Sequence, residues 1–279
     1  MSDQFYIVLV LYKMSLTESK TIQSLGQFVS KNTPLLVFDN SPTRQYNETT
    51  FQHDNFKIHY VYDESNPGLS KAYNFALQKA IESGFTWMLL LDQDTHFTAD
   101  YYNEVERLLQ KPIPRYVAAI MPRVQSHEGD SLISPTKMHS GAICRPVKIA
   151  SGISKLAISG INSGTLLRVN FINSIGRFSE KYSLDMLDHW YFRMIYKTGN
   201  AVYIMNSCIY QELSVLGDYE ATISLGRYQH MLQAESLFVK EEGILSLLIF
   251  KCRLFFRILK QLRFNNSGYW QASLRQLFT

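Results

Sequence analysis

Trp87-Met88-Leu89-Leu90-Leu91-Asp92-Gln93-Asp94-Thr95 decides how the chain is read. Its five leading apolar residues have the character of a strand buried on both faces, as strands of a parallel sheet are. That strand ends on two carboxylates with one residue between them. Open α/β sheets take ligands at the carboxyl ends of their strands. Two hard oxygen donors placed there suit Mg²⁺ or Mn²⁺, which bridges to phosphate rather than sitting in an all-protein cage. A strand-to-helix turn in which Asp94 or Thr95 caps the next helix would use the same residues without a ligand.

Outward from this stretch, apolar runs at 5–12, 34–38 and 56–62 read as three preceding strands, and 116–121 reads as a fifth. Between them stand helical patterns over 17–29 (Ile22, Leu25, Phe28 and Val29, with Ser15 or Thr17 as cap), over 69–82 closed by Gly84, and over 99–109. Residues 44–55 read as polar loop. Strands alternating with helices imply right-handed crossovers, hence an α/β fold with a mostly parallel sheet flanked by helices. In such a sheet Asp39-Asn40, Asn66-Pro67-Gly68 and Asp92-Gln93-Asp94 lie along one edge.

Several function classes drop out. No G-x-G-x-x-G follows the first strand and no G-x-x-x-x-G-K-[ST] occurs, which disfavours a Rossmann dehydrogenase and a P-loop NTPase. Asp92-Gln93-Asp94 superficially matches the nucleophile motif of haloacid-dehalogenase-like phosphatases. That motif needs Thr or Val where His96 stands, and it belongs on a first strand rather than a fourth. A net charge of +4 on 279 residues falls short of a nucleic-acid-binding signature. Cys144, Cys208 and Cys252 are odd in number and lack C-x-x-C spacing, so a reducing compartment and no structural zinc are expected. Residues 1–4 carry no basic n-region and 5–12 is too short for a signal or a span, so the expectation is a cytoplasmic protein.

Tyr12, Asp39-Asn40-Ser41, Asn66-Pro67-Gly68-Leu69-Ser70-Lys71-Ala72-Tyr73-Asn74 and Leu91-Asp92-Gln93-Asp94-Thr95 follow in an order and spacing that resembles the family 2 glycosyltransferases, over roughly residues 5–230. Within them the chain is most similar to the bacterial rhamnosyltransferase-like branch. The resemblance implies a GT-A fold and a nucleotide-sugar donor. It places Tyr12, Asp39 and Asn40 at the pyrimidine and its ribose, with Asn66 and Gly68 in the same nucleotide-sugar site. Lys71 or Asn74 would lie beside the nucleotide, Asp92 and Asp94 would hold the ribose and the Mg²⁺ or Mn²⁺ on the diphosphate, and Gln93 would belong to the same nucleotide-sugar site. The chemistry agrees: a diphosphate leaving group gains negative charge that a divalent ion neutralises, and Asp39 can accept the imide N–H of uracil or thymine. Taken singly, Asp39-Asn40 also reads as an Asx-turn, and Lys71 as a solvated helix residue.

From 123 to 156 the pattern dissolves into what reads as a long loop bordering the acceptor, where His127 and His139 read as incidental. A strand over 158–167 is interrupted by Asn162-Ser163-Gly164, whose glycine allows close backbone approach; the resemblance puts this patch in the acceptor and diphosphate region. Gly176-Arg177-Phe178 through Asp185-Met186-Leu187-Asp188-His189-Trp190 is similar to the family's segment running from a G-x-F turn to an acidic pair that opens a helix. Asp185 and Asp188 can share a face at the helix N-terminus, where the dipole keeps carboxylates ionised, although plain capping by Asp185 uses the same residues. Inverting transfer needs a carboxylate to take the acceptor's proton; Asp188 is the first candidate and Asp185 the second. Arg193 would anchor the acidic cluster, and Arg227 would reach the diphosphate. After a strand over 201–205, Tyr210 or Gln211, ahead of Glu212, stands where relatives often carry a metal-binding histidine.

Beyond Glu242 no acidic residue occurs. Over 244–264 apolar residues mix with Lys251, Arg253, Arg257, Lys260 and Arg263. A helical wheel sets Arg253, Arg257, Lys260 and Arg263 opposite Leu254, Phe255, Ile258, Leu259 and Leu262. No run is long enough to span a bilayer, and a basic amphipathic helix lying peripherally on the inner face of the plasma membrane is expected. Packing on the catalytic domain or a homodimer partner is the alternative. The sequence thus divides into a GT-A domain over 1–235 (nucleotide-binding half 1–122, acceptor-binding half 123–235) and a basic helical tail over 236–279. The expected activity is metal-dependent inverting transfer from dTDP-L-rhamnose, or a UDP-hexose or galactofuranose donor, to a lipid-linked cell-surface glycan. A non-catalytic glycan-binding or assembly subunit on the same fold is the rival reading.

Overall fold

The computed structural model describes residues 5–126, 131–211 and 223–279; residues 1–4, His127 and Glu212 lie outside them. The chain forms two compact units, one of residues 1–136 and 146–212 and the other of 137–145 and 213–279.

In the first unit β1 (Phe5–Leu11), β2 (Thr33–Asp39), β3 (Thr50–His53), β4 (Phe56–Tyr62) and β5 (Trp87–Leu91) lie in the order β3-β4-β2-β1-β5. All are parallel except β3, which pairs antiparallel with β4. The expected loop over 44–55 therefore contains an edge strand. It is half exposed, so it lacks the apolar run that marks its neighbours. Every residue of β5 is buried, each large side chain contributing ~1.5–3 kcal/mol. After β4 the chain crosses back over β1 to lay β5 on its other side. This reversal makes a topological switch point at the carboxyl ends of β1 and β5, where α/β sheets bind ligands.

Three helices join these strands. α2 (Leu69–Glu82) and α3 (Ala99–Leu109) have the bounds their spacing predicts. α1 covers only Lys20–Leu25 and is capped by Ser19, whose hydroxyl accepts from the Ile22 amide; Ser15 instead closes the preceding turn with Glu18. α3 is capped by Thr98, not by Asp94 or Thr95.

Beyond β6 (Val117–Gln125) the expected long loop contains short strands, β7 (Leu132–Ser134), β8 (Thr136–His139), β9 (Ile143–Pro146) and β10 (Gly152–Ser154), and β11 (Ile158–Ser159) opens the interrupted strand expected over 158–167. Elements this short show no legible alternation. β12 (Leu166–Arg168) runs antiparallel between β5 and β6. After α4 (Val169–Ser174) and α5 (Leu187–Lys197), β13 (Ala201–Tyr210) runs parallel to β6, twice as long as its apolar run suggests. Its register shifts between Ile204 and Cys208. There the buried Glu104 carboxylate accepts the Asn206 and Ser207 amides at 3.0 and 2.8 Å, satisfying donors the ladder leaves free.

The second unit holds the β8–β9 hairpin and α6 (Leu225–Glu242), α7 (Ile244–Gln261) and α8 (Gly268–Phe278). Position 235, where the sequence reading divides the chain, lies within α6. Tyr228, Leu232, Val239, Phe250, Leu254 and Tyr269 form its core. A closed polar ring sits inside: the Gln261 amide donates to the Tyr228 hydroxyl (2.7 Å), Ser273 donates to the Gln261 carbonyl (2.7 Å), and the two hydroxyls meet at 2.6 Å. The helical wheel of α7 needs correction. Leu254 and Ile258 face the interior while Phe255, Leu259 and Leu262 face outward. Arg257 forms a bidentate pair with Glu235 at 2.8 and 3.2 Å, and Arg253 bonds the Gly141 carbonyl. The helix has two apolar stripes, and packing chooses between them.

Candidate active site

The site is built at the switch point. Asp92, Gln93 and Asp94 leave β5 in a turn that α1 holds by side chains. Thr21 donates to the Asp92 carbonyl (2.5 Å) and accepts the Thr95 amide (3.1 Å), and Ser19 donates to the Gln93 carbonyl (2.7 Å). From the other side Ser163 accepts the Asp92 amide (3.1 Å) and the Thr95 hydroxyl (2.7 Å). Thr95 is thus spent on fixing the turn. Gly164, at φ 76°, continues this seam; a Cβ there would stand 2.9 Å from Ile209 Cδ1. Asn162 is buried, and its Oδ1 has no hydrogen-bond partner.

Gln93 turns back to β1. Its amide accepts the Tyr12 N–H (2.8 Å) and donates to the Tyr12 carbonyl (3.2 Å), leaving the Tyr12 ring exposed at the sheet edge. Gln93 is therefore a staple between two strand ends. Asp39, the last residue of β2, is buried, and its carboxylate accepts the Ser41 amide (2.9 Å), the Tyr60 hydroxyl (2.5 Å) and the Gln45 amide (3.2 Å). Burial, then contact with Asp39, pushes Tyr60 up to about 12. Neighbouring Asn40 is buried with its Oδ1 unpaired.

The carboxylates of Asp92 and Asp94 are bridged by Gln211, which follows β13 and donates its amide at 3.3 and 3.1 Å. The His96–Tyr210 bridge, closed by amides at 2.8 and 3.0 Å, sets Gln211 there. Burial pushes Asp92 up to about 7, with the negative charges of Asp94 and Asp188 adding to the rise and Gln211 opposing it. Asp94 is raised as well, chiefly by burial. The Tyr73 and Tyr191 hydroxyls, buried and without a well-formed hydrogen bond, lie within electrostatic reach of Asp92 and Asp188; burial first, then those carboxylates, raises both phenols well above their ordinary range. Tyr73 stood inside a recognisable motif, but neither tyrosine carries a sequence signal of its own.

Asp188 lies in the first turn of α5, half-buried, and accepts the His189 amide at 2.7 Å. The helix is capped by Met186 at φ 65° with no side-chain bond, so the expected capping role of Asp185 is not what the chain uses. Asp185 is also half-buried, and Arg193 is buried on the same helix.

Two anchors join the acidic segment to the Asn66-Pro67-Gly68 turn. Gly68, at φ 87°, lies so close to Ser183 that a Cβ would meet its carbonyl oxygen at 2.3 Å, and the Leu69 amide donates to that oxygen at 2.6 Å. Asn66 takes a left-handed φ of 46° to enter the turn. Asn74 is the second anchor: its amide both donates to and accepts from the Phe178 backbone at 2.9 Å. Both polar ends of the Asn74 side chain are used in this clamp. Lys71 is exposed on the first turn of α2, and Arg227 belongs to the second unit.

Among the described residues no three His, Cys, Asp or Glu side chains assemble into a metal cage. The donors present nevertheless fit a hard divalent ion. Asp92 and Asp94 supply carboxylate oxygens, and the buried Gln211 Oε1 beside them has no hydrogen-bond partner. One or two carboxylates with phosphate oxygens are how Mg²⁺ is usually held.

Comparison with known proteins agrees with this architecture. Among solved structures the chain resembles GalNAc-T7 with UDP, GalNAc and Mn²⁺ (TM-score 0.55, 10% identity, 84% of this chain and 48% of that one). It also resembles S. aureus TarS 1–349 in complex with UDP-GlcNAc (TM-score 0.53, 14% identity, 98% and 92%). The chain thus spans about half the length of the GalNAc-T7 chain and nearly all of the TarS fragment. At these identities the likeness concerns the fold, a GT-A-like mostly parallel sheet flanked by helices. No curated protein sequence matches the chain. Residues 20–162, just over half of it, match the profile of Glycosyl transferase family 2, from α1 through the Asp92–Asp94 turn to Asn162, and the chain belongs to that family.

Proposed function

We propose that the protein is an inverting, metal-dependent glycosyltransferase that moves a sugar from a nucleoside-diphosphate donor to a lipid-linked cell-surface glycan. L-Rhamnose from dTDP-L-rhamnose is the first donor, a UDP-hexose or galactofuranose donor the second. The observation that carries the reading is the meeting of Asp92, Asp94 and Gln211 at the switch point with Asp188 in electrostatic reach.

Tyr12 offers an exposed ring against which a base can stack. Asp39 already accepts three hydrogen bonds; a carboxylate has room for about four, and the last suits the imide N–H of a uracil or thymine. Asp92, Asp94 and Gln211 would hold Mg²⁺ or Mn²⁺, which when bound neutralises the charge of the diphosphate leaving group. Asp188 takes the proton of the acceptor hydroxyl as that oxygen bonds to the anomeric carbon and the bond to the diphosphate breaks. Asp185 is the second candidate for the base.

Calorimetric titration with dTDP-rhamnose, UDP-glucose, UDP-galactose and GDP-mannose, in Mn²⁺ and then in EDTA, tests the reading. Metal-dependent binding of one dTDP- or UDP-sugar is expected. If no nucleotide sugar binds in either condition, the protein is a glycan-binding or assembly subunit on a transferase fold.

A further inference from the structure

Nine of the fourteen exposed large hydrophobic residues among the described part of the chain fall between Ile244 and Phe278. Ile244, Leu245, Leu248, Phe255, Phe256, Leu259 and Leu262 belong to α7 or its C-terminal cap, with Ile244 72% and Phe256 67% exposed. At 3.6 residues per turn these seven occupy one arc of roughly 120°. It lies away from the stripe of Phe250, Leu254 and Ile258 that α7 buries in the helical unit. Lys251 flanks one side of the open arc and exposed Lys260 the other, with exposed Arg263 just past the helix end. Arg253 and Arg257 are turned inward to Gly141 and Glu235.

We propose that this open stripe is a membrane-docking face that lies flat on an anionic lipid surface. Charge selects the occupant. No Asp or Glu follows Glu242, so a second copy seated on the stripe would bring lysines against lysines with nothing to pair them. A bilayer with anionic headgroups offers acyl chains for the apolar arc and negative charge for the flanking lysines, whose stems reach to the interface. No helix among the described residues is long and apolar enough to cross a membrane, so α7 lies on the surface. The proposal concerns the second unit alone and does not rest on the transferase reading.

Flotation of the full chain with vesicles tests it. The protein is expected to float with vesicles containing phosphatidylglycerol and to stay behind with vesicles of phosphatidylcholine alone. Phe255→Ser with Leu259→Ser, both at exposed positions, should lower partition at least about tenfold, and Leu248→Ser with Phe256→Ser should do the same independently. Lys251→Gln and Lys260→Gln should each cost about fivefold. Failure of the unaltered protein to float overturns the proposal, as does unchanged flotation of both serine variants. A dimer seen by light scattering that the serine variants convert to monomer, without lipid binding, overturns it in favour of a second copy.

Discussion

The sheet edge and the helical unit treat buried polar atoms in opposite ways. In the first unit Asn40 Oδ1, Asn162 Oδ1, Gln211 Oε1 and the Tyr73 and Tyr191 hydroxyls are buried without well-formed partners. In the helical unit Tyr228, Gln261 and Ser273 close a ring in which each side chain meets the other two. Unpaired buried groups cost free energy, so native folds keep few of them. Under the proposed function, a bound donor would complete part of this hydrogen bonding. The closed ring needs no ligand and fixes the way three helices meet.

The largest expected effect breaks the open side of this contrast. Asp188→Asn should reduce kcat about 10²–10⁴-fold while leaving metal-dependent donor binding unchanged by calorimetry. Full activity would remove Asp188 as base and point to Asp185.

Next is the electrostatic strain at Asp92. Its folded pKa of about 7 lies above the ~3.9 of an unfolded chain, so the fold favours the protonated form. The corresponding stability is present below about pH 4 and is lost as pH rises towards 7. Without metal, Asp92→Asn should therefore match the unaltered protein near pH 4 and exceed it above pH 7, by up to about 4 kcal/mol. Thermal melts at both pH values measure this. Mn²⁺ should raise the Tm of the unaltered protein more than that of the variant.

Gly68→Ala should cost about 2 kcal/mol or more, because the new Cβ meets the Ser183 carbonyl in a left-handed backbone. Urea unfolding gives the value, and donor binding should weaken with it. Smallest is Tyr228→Phe, which opens the closed ring for about 1 kcal/mol with donor binding intact. Replacing all three ring members by apolar residues of similar shape should be nearly neutral. A loss of donor binding in either ring variant would erase the distinction between the two regions.

How much of this the sequence disclosed depends on scale. α2 and α3 were legible to the residue, because the Gly84 stop and the apolar spacing are local signals. The strand-end carboxylates were legible for the same reason. Strands β7 to β10 were not, being three or four residues long and defined by partners rather than by pattern. The outward face of α7 was misread because two apolar stripes satisfy one wheel. Asn74 and Gln93 look like donor-binding amides in sequence; only tertiary contacts reveal that each clamps a distant backbone.

The contact of Gly68 with Ser183 carries a lesson for engineering. With the Asn74–Phe178 clamp and the Arg177–Gln78 bond at 2.8 Å, it makes the donor-side turn and the acidic segment one inheritable module. Grafting a relative's 63–74 loop to alter donor choice would displace residues 177–188, and with them Asp188, the proposed base. A transplant must move both stretches together, and recombination breakpoints between 75 and 176 should yield chimeras that fold poorly or lose transfer.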